Sequence, residues 1–125
     1  MSVSSATASD FLRRRTEKRR QEWSDLEEKA KGDVANIVRH LIETWHPLRI
    51  WQWGSLIRPA EFREWSDIDI AVEGLTGPLD GLKAAEEAAC MTSFPVDLVE
   101  LDRIDPRHAR TIREEGVLVY DSKNS

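Results

Sequence analysis

The sequence predicts an α/β protein in which helices pack on one small mixed β-sheet, with an N-terminal helical extension. Short runs of branched and aromatic residues alternate with segments of helical periodicity, as expected for a layered α/β structure. The length of 125 residues is enough for one domain with a modest core. We expect the extension over residues 1–32, the domain over 33–121 and a disordered tail over 122–125.

Two helices are expected before the first strand. The first begins near Phe11, after a capping Ser-Asp pair, and has only a thin apolar stripe. Gly32–Asp33 marks a break, after which apolar residues recur with helical spacing as far as Trp45. The cationic run Arg13–Arg20 fits a solvated helix face, and it also fits a docking surface for a partner or RNA.

The remaining elements follow from residue type and from turn signals such as Glu73–Gly74. Runs rich in branched and aromatic residues predict four strands, over residues 48–53, 67–72, 96–101 and 117–120. The Ala-rich segment 82–91 predicts a helix. A last helix starts at Pro106 and ends at Gly116.

Composition excludes several classes of protein. No apolar run approaches the roughly 20 residues of a membrane span, and the first twenty residues lack the apolar centre of a secretory signal. We therefore expect a cytoplasmic protein without membrane association. The net charge of -5 argues against broad nonspecific binding to nucleic acid. The single Cys90 cannot form an internal disulfide, and the three histidines lack zinc-ligand spacing.

The strongest chemical signal is the strand that contains Asp67 and Asp69. Side chains alternate between the faces of a strand, so these two carboxylates point the same way while Ile68 and Ile70 enter the opposite, apolar side. Two carboxylates side by side in a dry site repel each other unless a cation such as Mg²⁺ compensates them. The pair therefore predicts a metal site.

Asp97 lies between apolar residues on another predicted strand. If that strand lies beside residues 67–72, three carboxylates converge. Three hard oxygen donors can hold two Mg²⁺ ions, one activating an acceptor hydroxyl and the other neutralising a triphosphate. This arrangement predicts nucleotidyl transfer.

Gly54 and Ser55 supply the second part of the expected site. A glycine at a strand-to-helix turn lets backbone N–H groups approach phosphate closely, and the Ser55 hydroxyl and the Arg58 guanidinium add donors. Each piece also has a structural interpretation. Asp-x-Asp can be a turn or a cap, Gly-Ser is common in loops, and Asp97 can be an edge-strand charge that limits aggregation.

Two tryptophans precede this turn, and a third lies in the loop that follows it. Trp51 and Trp53 should share one strand face, where they pack in the core or where Trp53 stacks on a base. Trp65 is expected at a partner surface or over the nucleotide.

In these motifs the chain resembles the DNA polymerase β-like nucleotidyltransferases. It is most similar to the minimal nucleotidyltransferase (MNT) antitoxins paired with HEPN-domain toxins. The resemblance covers residues 48–120, through Gly54–Ser55, the strand Ser66–Asp69, the strand Val96–Val99 and the ending Ile112–Tyr120. It implies the polymerase β-like nucleotidyltransferase fold.

The resemblance also implies roles for individual residues. Asp67 and Asp69 bind both Mg²⁺ ions, Asp97 completes the metal that activates the acceptor, and Ser55 contacts the β- and γ-phosphates. Gly54, Arg58 and Ser66 complete the expected nucleotide-binding set. Leu56 and Pro59 stand where the family commonly has arginine and glycine, which bears on triphosphate affinity more than on metal binding.

The expected function is Mg²⁺-dependent transfer of AMP from ATP to a hydroxyl of a protein partner. The resemblance implies that this partner is a HEPN toxin ribonuclease, modified on a tyrosine within a hetero-oligomer. Three alternatives stay open. The chain could be a non-catalytic antitoxin that binds its toxin through the N-terminal helix and the tryptophan-rich surface. It could instead transfer a nucleotide to a small molecule or to RNA.

Overall fold

A computed structural model describes residues 5–124. The helices are α1 (Ser5–Trp45), α2 (Asp80–Ala89) and α3 (Pro106–Glu115). The strands are β1 (Arg49–Trp53), β2 (Ile68–Glu73), β3 (Val96–Glu100) and β4 (Val117–Asp121), with short 3-10 helices at Ser55–Ile57 and Ser122–Asn124. Among the described residues, no helix combines the length and the apolar composition that a membrane span requires.

The four strands form one mixed sheet in the order β3-β2-β1-β4. β1 runs antiparallel to both of its neighbours, β2 and β4. β2 and β3 are parallel, as is usual when a helix, here α2, connects two neighbouring strands. The predicted α/β class and the mixed sheet are therefore confirmed.

The sheet has an apolar layer on each face. On one face, Ile50, Ile70 and Val72 pack against α1 and α2 in the main core. On the other face, Ala71 packs against Ala109 and further residues of α3 in a smaller cluster. α3 is positioned by Asp105, whose side chain accepts a hydrogen bond from the Arg107 N–H, and by a proline in its first turn.

The prediction of two N-terminal helices is wrong. α1 begins at Ser5, not near Phe11, and passes through Gly32–Asp33 without a break. Gly32 lies within the continuous helix, and nothing lies within 4 Å of the position that a side chain there would occupy. No close contact therefore requires a glycine at this position. Ala30 and Val34 are buried in the core on either side of it, and this packing overrides the low helix propensity of glycine. The extension of residues 1–32 and the domain therefore share one helix.

The C-terminal prediction needs a smaller correction. Ser122–Asn124 forms a turn of 3-10 helix and is not disordered, because the Ser122 N–H donates to the Leu48 carbonyl and the Lys123 N–H to the Asp121 carboxylate. Ser125 lies outside the described residues, as do residues 1–4 of the expected N-terminal extension.

Candidate active site

The three predicted carboxylates lie at one end of the neighbouring strands β2 and β3. Asp69 on β2 and Asp97 on β3 are register neighbours across the parallel pair. Asp67 is exposed and immediately precedes β2. Ile68 and Ile70 are fully buried on the other face. The expected alternation is confirmed, and the pairing of the two strands, which the sequence left as a condition, is observed.

This arrangement changes the pKa of the Asp69 carboxyl. Burial, together with the negative charges of Asp97 and Asp67, raises the pKa of its carboxyl to about 6. A carboxylate that is both partly desolvated and surrounded by like charges gains strongly from a bound cation. The site thus has an unbalanced negative charge.

The donor chemistry fits a hard divalent cation, which prefers carboxylate oxygens. The side chains are not gathered around one point, however. Within residues 5–124, no group of three or more His, Cys, Asp or Glu side chains is spaced to hold a metal ion. The structure therefore supports the type of ligand predicted for Asp67, Asp69 and Asp97, while their joint coordination of Mg²⁺ stays a prediction.

Gly54 lies directly against the Asp69 side chain. Its predecessor Trp53 pairs with Asp69 between β1 and β2. Gly54 has φ 82° and ψ -160°, a conformation that residues with a side chain rarely adopt. A Cβ built on Gly54 would overlap the Asp69 carboxylate. The backbone can approach this carboxylate so closely only because the residue is glycine.

Ser55 and Arg58 bound the turn that follows Gly54. Ser55 opens the 3-10 helix and is partly buried, and its carbonyl accepts a hydrogen bond of 3.1 Å from the Arg58 N–H. Arg58 is exposed and its guanidinium lies 3.5 Å from the Glu61 carboxylate. The contact of both side chains with a triphosphate stays a prediction.

Ser66 has a structural task in the loop before Asp67. Its Oγ accepts a hydrogen bond of 3.0 Å from the Arg63 N–H, and its own N–H donates to the Arg63 carbonyl at 3.0 Å. This reciprocal pair closes a tight turn one residue before the first carboxylate. The role in nucleotide binding predicted for Ser66 is not needed to explain its position.

Comparisons with known proteins identify the fold through structure alone. No protein-family model matches the sequence, and no curated protein matches it significantly. Among solved structures, a chain of the MntA–HepT toxin–antitoxin has a TM-score of 0.58 at 20% identity, covering 75% of this chain and 74% of that one. A toxin–antitoxin with AMP-PNP has a TM-score of 0.59 at 24% identity, covering 71% and 74%.

A third structure holds tri-AMPylated Shewanella oneidensis HEPN toxin in complex with MNT antitoxin. It has a TM-score of 0.54 at 20% identity and covers 78% of this chain and 75% of that one. The chain has the fold of an MNT antitoxin. The expected nucleotidyltransferase fold is confirmed by these likenesses, which hold at low sequence identity.

Sequence reasoning missed the role of Glu73 on the same face of the MNT fold. It interpreted Glu73 as part of a turn, but Glu73 ends β2 and is 6% exposed. Its carboxylate accepts hydrogen bonds from Arg113 (2.9 Å), Arg49 (3.0 Å) and the Trp51 indole (3.2 Å). Burial raises the pKa of Glu73, but the bonds from Arg113 and Arg49 outweigh it and the pKa lies below its ordinary value. This network fixes α3 to the sheet.

A second missed feature ties α1 to the loop before Asp67. The Trp23 indole N–H donates to the Glu64 carboxylate at 3.0 Å, and the Arg63 guanidinium lies 4.0 Å from the Trp23 ring centroid. The only sequence signal was the position of Trp23 in the thin apolar stripe of the helix. Trp65 is 70% exposed near this contact, and its place at a partner surface or over the nucleotide stays a prediction.

Trp51 and Trp53 share one face of β1 and pack against the smaller cluster, as expected for core residues. Trp53 makes an edge-on contact with the His108 ring at 5.7 Å between centroids. Its indole N–H is buried and has no hydrogen-bond partner among the described residues. Trp53 therefore forms an apolar wall beside Asp69, with one donor left unused.

Proposed function

We propose that the chain is a Mg²⁺-dependent nucleotidyltransferase that moves AMP from ATP to a tyrosine hydroxyl of a HEPN-domain toxin. The observation that carries the proposal is Asp69, paired with Asp97 across parallel strands and packed beneath Gly54. Burial and the neighbouring charges of Asp97 and Asp67 raise its pKa, so a bound cation would be favoured there. The likeness to toxin–antitoxin structures with AMP-PNP and with an AMPylated toxin supports the choice of nucleotide and acceptor.

The chain's own residues act by positioning and by charge. The Gly54 backbone leaves room for a phosphate beside the carboxylates, and Ser55 and Arg58 donate to triphosphate oxygens. Bound Mg²⁺ supplies charge neutralisation of the triphosphate and activation of the acceptor. Asp67 and Asp69 would hold both cations, and Asp97 would complete the binding of the one that activates the acceptor.

The proposed reaction is a displacement at the α-phosphorus of ATP. The tyrosine oxygen forms a bond to this phosphorus while the bond to the bridging oxygen of pyrophosphate breaks. The hydroxyl proton passes to one of the site carboxylates. Pyrophosphate leaves with the electron pair of the bond that breaks. The likeness to toxin–antitoxin complexes suits an acceptor that is delivered by protein–protein contact.

The test is incubation of the chain with ATP, Mg²⁺ and the HEPN-domain protein that co-purifies with it, followed by intact-mass spectrometry. We expect one or more AMP groups on the acceptor, and none with Asp67→Ala plus Asp69→Ala. A control with Glu114→Ala plus Glu115→Ala removes two exposed carboxylates elsewhere and should keep the transfer. Absence of any adduct, together with full neutralisation by the Asp67/Asp69 variant, would contradict the enzymatic proposal.

A non-catalytic antitoxin is the second candidate. It is favoured by one observation, that the carboxylates within residues 5–124 are not already spaced around a metal. It predicts tight binding to the toxin without nucleotide and equal neutralisation by the Asp67/Asp69 variant. The same experiment therefore separates the two functions.

A further inference from the structure

The first half of α1 extends beyond the domain. Every residue from Thr7 to Glu22 is exposed, and packing against the body begins with Trp23 and Leu26. These 16 residues span about 24 Å of helix. A helix of this length is marginal in water without a packing partner, so an exposed half of this kind is suited to bind one.

The charge of this half is opposite to that of the rest of the chain. Residues 1–22 contain six cations and three carboxylates, for a net charge of +3. Residues 23–125 contain twelve cations and twenty carboxylates, for a net charge of -8. All six cations lie within Arg13–Arg20, and none forms an ion pair with a residue that the structure describes. An acidic partner is therefore attracted by the helix and repelled by the body.

Apolar groups lie among and beside these cations. Phe11 and Leu12 are 65% and 60% exposed, and Trp65 is 70% exposed. Two clefts, of about 360 and 460 Å³, separate α1 from the loop before Asp67. Trp23 lines both clefts, with Arg20 in the first and Arg19 in the second. Apolar and aromatic groups mixed with arginine are the usual composition of a protein–protein interface.

The clefts adjoin the segment that carries Asp67. Trp23 contacts both Arg63 and Glu64 through the hydrogen bond and the stacking described above. Arg63 and Ser66 close the turn whose next residue is Asp67. An occupant of the clefts therefore lies against the loop that leads directly into Asp67.

We propose that the surface formed by residues 11–20 of α1 and the two clefts docks an acidic segment of the acceptor protein. The proposal rests on the proposed function for the existence of that acceptor. The mixture of cations with Phe11, Leu12 and Trp65 favours a protein segment that offers carboxylates and apolar side chains. A long phosphate chain would be repelled by the body charge of -8 beyond the helix. Docking on this surface fixes the direction from which the acceptor reaches the carboxylates.

The test compares two variants with the same change of charge. Arg15→Glu plus Arg19→Glu alters the docking surface. The control, Lys31→Glu plus Arg39→Glu, alters two exposed cations in the packed half of the same helix, neither of which forms an ion pair with a described residue. Circular dichroism checks that both remain helical. The affinity for the co-purified HEPN-domain protein is measured by biolayer interferometry without nucleotide at 0.15 M and 1 M NaCl, and the binding of a fluorescent ATP analogue is measured on each chain alone.

We expect the docking variant to bind the acceptor about tenfold more weakly than the wild type at 0.15 M NaCl, with the difference largely lost at 1 M because salt screens it. The control variant should keep wild-type affinity, and all chains should bind the ATP analogue equally. Equal affinity of both variants for the acceptor would overturn the docking surface, whether or not the wild type transfers AMP. A selective loss of RNA binding, or a change only in self-association measured by light scattering, would overturn it as well. A selective loss of acceptor binding with no AMP transfer by the wild type would leave the docking surface standing and contradict the proposed function.

Discussion

Replacement of Gly54 by alanine should damage the fold and the site together. The residue has φ 82° and ψ -160°, and a non-glycine residue in such a region costs about 1–3 kcal/mol. The added methyl group would also overlap the Asp69 carboxylate, which must then move. Because displacement of a reacting group by about 1 Å can cost on the order of 100-fold in rate, we expect AMP transfer to fall by at least that factor.

Gly32→Ala is the matched control for this change. It adds the same methyl group within α1, where nothing lies within 4 Å. Alanine in a helix is favoured over glycine by about 0.5–1 kcal/mol, so this variant should be more stable than the wild type and fully active. Combined with Gly54→Ala, it should restore part of the lost stability without restoring transfer.

Urea unfolding gives the free energies for the wild type, both single variants and the double variant, and intact-mass spectrometry gives the transfer. A Gly54→Ala protein that is active and within about 0.5 kcal/mol of the wild type would refute the assigned role of Gly54. If the double variant transfers AMP as well as the wild type does, the loss of transfer in Gly54→Ala is caused by lower stability and not by a displaced Asp69 carboxylate, which would refute the assigned role.

Two further predictions concern the features that sequence reasoning missed. Trp23→Ala removes the hydrogen bond to Glu64 and the stacking on Arg63, so hydrogen exchange in residues 58–66 should be faster, with a stability loss of about 1 kcal/mol. Unchanged exchange would contradict this link. Glu73 has a lowered pKa, so its stabilisation is present above its ordinary pKa of 4.5 and is lost as the pH falls through the lower folded value. Urea unfolding between about pH 3 and 5 should be less pH-dependent in Glu73→Gln, and equal slopes would argue against this role.

The carboxylate pair was predictable because strand alternation is local. Asp67 and Asp69 are two residues apart, and the buried Ile68 and Ile70 mark the opposite face within the same short segment. The pairing with Asp97 was conditional in the sequence, since nothing local says which strands are neighbours. The structure supplies that condition through the parallel register of β2 and β3.

The Glu73 network and the continuity of α1 were not predictable in this way. The guanidinium partners of Glu73 lie 24 and 40 residues away in sequence, and no local pattern brings them together. At Gly32 the local propensity indicated a break, but the buried neighbours Ala30 and Val34 hold the helix together through tertiary packing. The errors fall where long-range packing decides the local structure.

The charge on Asp69 has a measurable consequence for stability. Its pKa is raised from 3.8 to about 6, so the protonated form is favoured on folding, and this contribution is lost as the pH rises through about 6. The shift sets an upper limit near 3 kcal/mol for the resulting destabilisation at neutral pH. Because Asp69 is only partly buried, solvent screening reduces the expected effect to about 1 kcal/mol. Asp69→Asn should therefore be more stable than the wild type when both are free of metal.

The most direct test of the central claim is the thermal midpoint of unfolding at pH 7.5, measured against Mg²⁺ concentration for the wild type and for Asp69→Asn. If the carboxylates at the ends of β2 and β3 bind the cation, Mg²⁺ raises the midpoint of the wild type, while Asp69→Asn starts higher in EDTA and does not respond. An equal Mg²⁺ response in the two proteins would contradict the account.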